Sequence, residues 1–174
     1  MHIIMDESTI DRTLSRITHE IIEQRENLDN VLLIGIRSRG YPLAKRIQAK
    51  LKQFTGKDIY VDSIEINFYK DNPEKPIRMD PAVLESRIHS VNDKDIIIFD
   101  DVLFSGRTIL TAVDAIFELG HPNTIQLAVL IDRGHRKLPI RPDYIGKNVP
   151  TNYNERVDVK LFEIDGEDKV IISE

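Results

Sequence analysis

Residues 96–108 read IIIFDDVLFSGRT. Four apolar residues run into the adjacent acids Asp100 and Asp101. A short apolar stretch follows, then Ser105, Gly106, Arg107 and Thr108. An unbroken apolar run of strand length is expected where both faces of a sheet are covered, as in a parallel α/β sheet. Two neighbouring carboxylates at the end of such a strand repel each other and lose hydration, so something bound there has to offset the cost.

The same pattern recurs outward from this stretch. VLLIGI at 31–36 and IQLAVLI at 125–131 are further buried runs. Residues 8–26 read as an amphipathic helix with Ile10, Leu14, Ile17 and Ile21 on one stripe, and Ser8 with Asp11 suggests a weak capping box. Pro42 stands where a helix favours starting, Leu43, Ile47, Leu51 and Phe54 continue its stripe, and Gly56 stops it. Residues 58–68 alternate apolar and polar, predicting one or two half-buried strands. Residues 69–81 hold three prolines and many charges and read as a loop. SRIHSV, within the ambiguous stretch 82–94, is readable as a short strand. Gly106 to Leu119 predicts a helix with Ile109, Val113 and Ile116 inward, ended by Gly120 and Pro122. Residues 132–151 read as a long, basic, irregular segment, and 157–164 and 169–172 as closing strands. Alternating strands and helices with continuous apolar strands imply one α/β domain over 1–174 on a mostly parallel sheet.

A chain of 174 residues buries roughly 70% of its unfolded surface and needs no staples. It is 41% hydrophobic and 30% charged, a globular balance, and has no cysteine, which suits a reducing compartment. No apolar window is long enough for a membrane helix, and the amino terminus does not read as a signal peptide. The expectation is a cytoplasmic protein. A net charge of -5 argues against the whole surface attracting nucleic acid, though not against a local basic face.

In an open α/β sheet, ligands bind beyond the carboxyl ends of the strands. There the turn VLFSGRT leads into a helix amino terminus, whose amide hydrogens favour a phosphate. Gly106 permits close backbone approach, and Ser105 and Thr108 add hydroxyl donors. Two carboxylates beside an anion cradle suit a ribose 5-phosphate. A strand, an Asp-containing turn and a helix cap without ligand would account for each piece singly, but poorly for the combination. The chain has neither G-x-x-x-x-G-K-[ST] nor G-x-G-x-x-G after a first strand, which argues against a nucleoside-triphosphate hydrolase or dinucleotide enzyme.

The motif resembles the phosphoribosyl pyrophosphate signature of type I phosphoribosyltransferases. LLIGIRSRG at 32–40, LSRITHEII at 14–22 and IQLAVLIDRGHRKLPIRPDYIGKNVPT at 125–151 extend the likeness to the pyrimidine operon attenuation regulators with uracil phosphoribosyltransferase activity. It spans nearly the whole chain and is weakest over 70–93 and at the carboxyl end. In that family setting, 6-oxopurine enzymes usually carry a third Asp where this chain has Phe104. Ordinary uracil enzymes tend to have proline where it has Asp101.

The resemblance implies a central, mostly parallel sheet flanked by helices, with a small hood and a flexible loop. It implies the reaction of uracil with phosphoribosyl pyrophosphate to give UMP and pyrophosphate. It assigns catalysis to Asp100 and Asp101, and the ribose and 5-phosphate to these with Val102, Leu103, Phe104, Ser105, Gly106, Arg107 and Thr108. Pyrophosphate falls to Ser38, Arg39 and Gly40. The base falls to Ile131, Asp132 and Arg133, read largely through backbone groups. Mg2+ would be held mainly through the substrate pyrophosphate, with no dedicated metal ligands in the chain. Residues 69–76 would form a lid, with Tyr69 and Lys70 near the pyrophosphate. His135, beside Arg136 and Lys137, is read as solvated rather than as an acid or base. A second activity is implied, binding of pyrimidine operon leader RNA with UMP as cofactor, through Arg16 and His19. These share a helix face with Arg12, and Arg141 and Lys147 would extend the patch; Asp11, Glu20 and Glu23 on the same helix weigh against it. A homodimer or higher oligomer is implied. A phosphoribosyltransferase for another base, or a nucleotide-sensing RNA-binding regulator without turnover, remain alternatives.

Overall fold

The structure is a computed structural model that describes residues 1–66, 83–84 and 89–174. Its main sheet contains β2 (Val31–Ile36), β3 (Tyr60–Glu65), β4 (Val83–Leu84), β5 (Asp95–Leu103), β6 (Thr124–Asp132) and β7 (Tyr144–Asn148), in the order β4-β3-β2-β5-β6-β7. β4 is antiparallel to β3, and the other neighbours are parallel. A separate antiparallel sheet, the hood, joins β1 (His2–Asp6), β9 (Lys169–Ser173) and β8 (Arg156–Lys160). The expected sheet and hood are both present.

The continuous apolar strands are explained by two cores. Val31 and Leu33 of β2, Ile97 and Phe99 of β5, and Ala128 and Leu130 of β6 face one side, against α1 (Glu7–Glu23) and α2 (Gly40–Thr55). Leu32, Ile34, Ile96, Ile98, Leu127 and Val129 face the other, against Ile109, Ala112 and Ile116 of α3 (Arg107–Leu119). Because side chains alternate across a strand, covering both faces removes the polar positions.

Several boundaries differ from the sequence reading. α1 is capped by Asp6, whose carboxylate accepts from the Thr9 amide at 2.8 Å, rather than by Ser8. A carboxylate one residue before the helix satisfies an amino-terminal amide and complements the dipole. β5 runs past both aspartates to Leu103 because β6 continues to pair with it as far as Asp132. The 157–164 stretch is not one strand: β8 ends at Lys160, and α4 (Phe162–Asp165) follows, closed by Gly166 at φ 74°. β1 and β7 lie in segments whose periodicity gave no strand signal. The expected lid with Tyr69 and Lys70 lies outside the described residues; of SRIHSV only 89–91 are described, and they form no strand.

From β2 the chain moves through α2 to β3 on one side, then returns to β5 on the other. The loops leaving β2 and β5 therefore diverge, opening a crevice at the carboxyl ends of these two neighbours. Gly40 lies in this divergence. A Cβ there would sit 2.2 Å from the Phe99 carbonyl oxygen and 3.2 Å from the Asp100 Cα, so only glycine lets the first loop rest on β5. Gly40→Ala should lower the free energy of unfolding by about 3 kcal/mol or more, the upper range for overpacking against unyielding backbone. Gly56→Ala is the control: with φ 74° and open space around it, it should cost only about 1 kcal/mol. Urea unfolding of both variants checks the contrast.

Candidate active site

Asp100 and Asp101 are half-buried neighbours at the end of β5. The Asp101 amide donates to Asp100 Oδ1 at 2.9 Å, and the Val102 amide to Asp101 Oδ1 at 2.8 Å. These bonds fix the carboxylates without neutralising them. Burial, above all, pushes the Asp100 carboxyl well above the ordinary carboxylate range; the adjacent charge and hydrogen bond of Asp101 add to the rise, and the Asp101 amide opposes it. Among the described residues, no three His, Cys, Asp or Glu side chains cluster to hold a metal.

The turn after β5 is built for close approach. Gly106 takes φ 94° before α3, a conformation that strongly favours glycine. A Cβ there would also meet Ile140 Cγ1 at 3.0 Å. The Ser105 hydroxyl accepts from the Arg107 amide at 3.3 Å. The first amides of α3 have no intrahelical partner and carry the positive end of its dipole. Val102 and Thr108 are half-buried, Leu103 is buried and Arg107 is exposed.

The loop after β2 brings Ser38, Arg39 and Gly40 beside the aspartates through the contact of Gly40 with Phe99. The Arg37–Ser38 peptide is cis, and Ser38 is exposed. Arg39 is not an open cation. Its Nη2 donates to Asp165 Oδ1 at 2.8 Å and its Nε to Asp165 Oδ2 at 3.3 Å, and this partner holds the Asp165 carboxyl below the usual range.

The segment after β6 folds back over the Phe104 turn. Arg136 donates to Asp132 Oδ2 at 2.6 Å, to the Phe104 carbonyl at 3.1 Å and to the Ile140 carbonyl at 3.0 Å. The Lys137 and Leu138 amides both donate to the Ser105 carbonyl. Ile131 is fully buried, so its side chain belongs to the core. Arg133 is buried too: its guanidinium lies 4.3 Å from the Phe104 ring centroid and donates to the Glu155 carbonyl at 2.7 Å. The Arg133 amide donates to the Leu103 carbonyl, and the Arg133 carbonyl accepts from the Thr151 hydroxyl, though a carbonyl keeps a second lone pair. His135 is not solvated as expected. It is half-buried, its Nε2 donates to the Thr151 carbonyl at 2.7 Å, and its ring meets Phe104 and Tyr153 edge-on.

The sequence reading did not find Asp165, Arg136 as a clasp, or Tyr153. Asp165 meets Arg39 from 126 positions away and Arg136 reaches the Phe104 carbonyl across 32, while Tyr153 packs on Phe104, and no local period marks such pairs. On α1, Arg16 donates to Glu20 at 2.8 Å and to the Ile145 and Gly146 carbonyls of β7 at 3.0 and 2.6 Å. His19 stacks on Phe54 with centroids 4.5 Å apart. Both side chains therefore have protein partners, yet Arg16 stays 48% exposed and Arg12, Arg141 and Lys147 are exposed as well.

With its pKa raised, Asp100 favours the fold most when protonated. That contribution is full below about 3.9, the unfolded carboxyl value, and is lost as pH rises through the higher folded value. Asp100→Asn cannot ionise, so it should raise Tm in the ligand-free protein more at pH 8 than at pH 5. Carboxyl carbon NMR titration should also show Asp101→Asn moving Asp100 back toward the ordinary range.

The phosphoribosyl transferase domain family profile matches residues 4–163. The chain is 49% identical over 172 residues to Bifunctional protein PyrR of Clostridioides difficile, covering 98% of this chain and 97% of that one. It is 51% identical over 172 residues to Bifunctional protein PyrR of Acetivibrio thermocellus, covering 98% and 93%. In fold it is similar to the hypoxanthine phosphoribosyltransferase of Trypanosoma cruzi, with a TM-score of 0.76, 18% identity, and coverage of 99% and 95%.

Proposed function

The chain belongs to the phosphoribosyl transferase family, in the group of bifunctional PyrR proteins, and from that premise we propose that it makes UMP and pyrophosphate from uracil and phosphoribosyl pyrophosphate and that it binds pyrimidine operon leader RNA. The observation that carries the enzymatic reading is the meeting of the Asp100–Asp101 pair, the amino end of α3 and the glycine-locked 37–40 loop at one crevice. The carboxylates accept from the ribose hydroxyls, and their charge stabilises the oxocarbenium character that develops at the anomeric carbon. The Ser105–Thr108 turn and the α3 amides hold the 5-phosphate. Ser38, Arg39 and the Gly40 backbone hold the pyrophosphate.

The base lies toward the 131–133 end of β6, beside the Phe104 ring. An apolar residue at 104 provides no acid for a purine ring, which favours uracil. Type I enzymes generally use Mg2+ with phosphoribosyl pyrophosphate. The donor set here fits that use, because hard carboxylate oxygens of Asp100 and Asp101 adjoin the site and, among the described residues, no full protein cage surrounds it. Mg2+ held by substrate oxygens, with Asp100 and Asp101 beside it, would neutralise charge on the leaving pyrophosphate.

RNA is taken on the outer side of α1 and the neighbouring edge strand β7. Arg16 ties the two elements together, and Arg12, His19, Arg141 and Lys147 border it. The protein works in the cytoplasm as one domain over 1–174; no described helix is long and apolar enough to cross a membrane.

Incubation with labelled phosphoribosyl pyrophosphate, Mg2+ and single nucleobases should give product from uracil alone; product from hypoxanthine or orotate, or none from any base, overturns this assignment. Asp100→Asn with Asp101→Asn should lower kcat by about a hundredfold or more while circular dichroism stays unchanged. A leader RNA should shift in a gel at low salt with UMP present, the affinity should fall steeply with added salt, and Arg16→Ala with His19→Ala should weaken it. An unshifted wild-type complex rules out the RNA role.

A further inference from the structure

Residues 161–168, LFEIDGED, hold four acids, and each is paired. Glu163 and Asp168 both grip Arg46 of α2, at 2.6 to 2.8 Å. Glu167 takes Lys160 at 3.2 Å and Lys169 at 2.9 Å. Asp165 takes Arg39. The first three acids hold cations of α2 or of the hood itself, whereas Asp165 holds the cation of the loop leaving β2, beside the paired aspartates. Two bonds fix its own position: the Asp165 amide donates to the Leu161 carbonyl at 2.7 Å, and the Leu161 amide donates to Asp165 Oδ2 at 2.9 Å. The Arg46 clamp then anchors the whole segment on α2. Asp165 is thus a rigid post, and Arg39 is the flexible member of the pair.

The contact is side-on. Asp165 uses Nε and Nη2 of Arg39, and Nη1 makes no hydrogen bond among the described residues. A guanidinium offers five donors in a fixed fork, so one edge can be spent on a carboxylate while the other receives a phosphate oxygen. The Arg39 side chain remains 33% exposed. A long arginine left unheld would lose rotamer entropy on binding, and the side-on pair removes that loss in advance.

We propose that Asp165 is a positioning residue for pyrophosphate: from the hood it holds Arg39 by its Nε edge, so that the remaining edge meets the pyrophosphate group of the substrate or product. The inference rests on the assignment of the 37–40 loop to pyrophosphate. It makes the hood part of the pyrophosphate site as well as of the base end, where Arg133 holds the Glu155 carbonyl just before β8.

Direct calorimetric binding of pyrophosphate with Mg2+ tests this without any turnover assay. Asp165→Asn should weaken pyrophosphate binding about tenfold and raise KM for phosphoribosyl pyrophosphate by a similar factor, as expected for a displaced charge-assisted contact. The KM for uracil, kcat and the affinity for UMP, which carries no pyrophosphate, should stay within about twofold. Asp165→Glu, which keeps the charge, should recover part of the loss. In an Arg39→Gln background, Asp165→Asn should add no further loss, because the two act as one unit. Unchanged or tighter pyrophosphate binding in Asp165→Asn overturns the proposal, the latter outcome marking Asp165 as a competitor. A parallel fall in UMP affinity overturns it too, by showing a general structural role. Failure of the wild type to bind pyrophosphate at all instead rejects the underlying site assignment.

Discussion

Backbone rests directly on backbone where the loop after β2 meets β5. Gly40 faces the Phe99 carbonyl at a distance no side chain tolerates, and through that contact the Ser38–Gly40 loop is set beside Asp100 and Asp101. The contact exists because β2 and β5 are parallel neighbours whose following helices pack on opposite faces of the sheet. With α2 on one core and α3 on the other, the two loops part, and the crevice between them is the one place where both can face one ligand. Glycine at that point removes the last steric obstacle.

The chemistry of the crevice follows from burial within it. Carboxylates set side by side at a strand end are costly, and the rise in the Asp100 pKa expresses that cost. A ligand that donates hydroxyl hydrogens to them relieves it, so stability given up in the empty state becomes affinity for the right ligand. The flanking elements carry opposite charge: the helix end of α3, the arginine of the 37–40 loop, and the arginines that tie the 132–140 segment down. Acid and base are thereby separated along the crevice, the paired acids on β5 and the donors to either side of them.

The hood is more than a cover. Through Asp165 it reaches the loop leaving β2, and through the Arg133–Glu155 contact it reaches the end of β6. Both contacts are charge-assisted hydrogen bonds in half-buried surroundings, where such bonds are stronger than on an open surface. A shift of the hood would therefore be felt at both ends of the crevice.

The amino-acid sequence by itself determined the parallel sheet, the two-faced core and the paired aspartates with their glycine turn. These features are local: strand burial shows as unbroken apolar runs, helices as a 3.6-residue stripe, and the turn after β5 as a fixed spacing of small and hydroxyl residues. The same locality explains the misses. β1 owes its existence to β9, near the other end of the chain, and β7 to its pairing with β6; at five residues each, their own windows carry too little period to mark them. His135 looks like a solvated histidine in a basic run, and only the fold brings Thr151 and Tyr153 against it. Arg39 looks like an open cation, and only the fold brings Asp165 to its guanidinium. Sequence patterns report which face a side chain turns to its own neighbours; which distant group it meets depends on how the sheets stack, and that was settled by the tertiary structure alone.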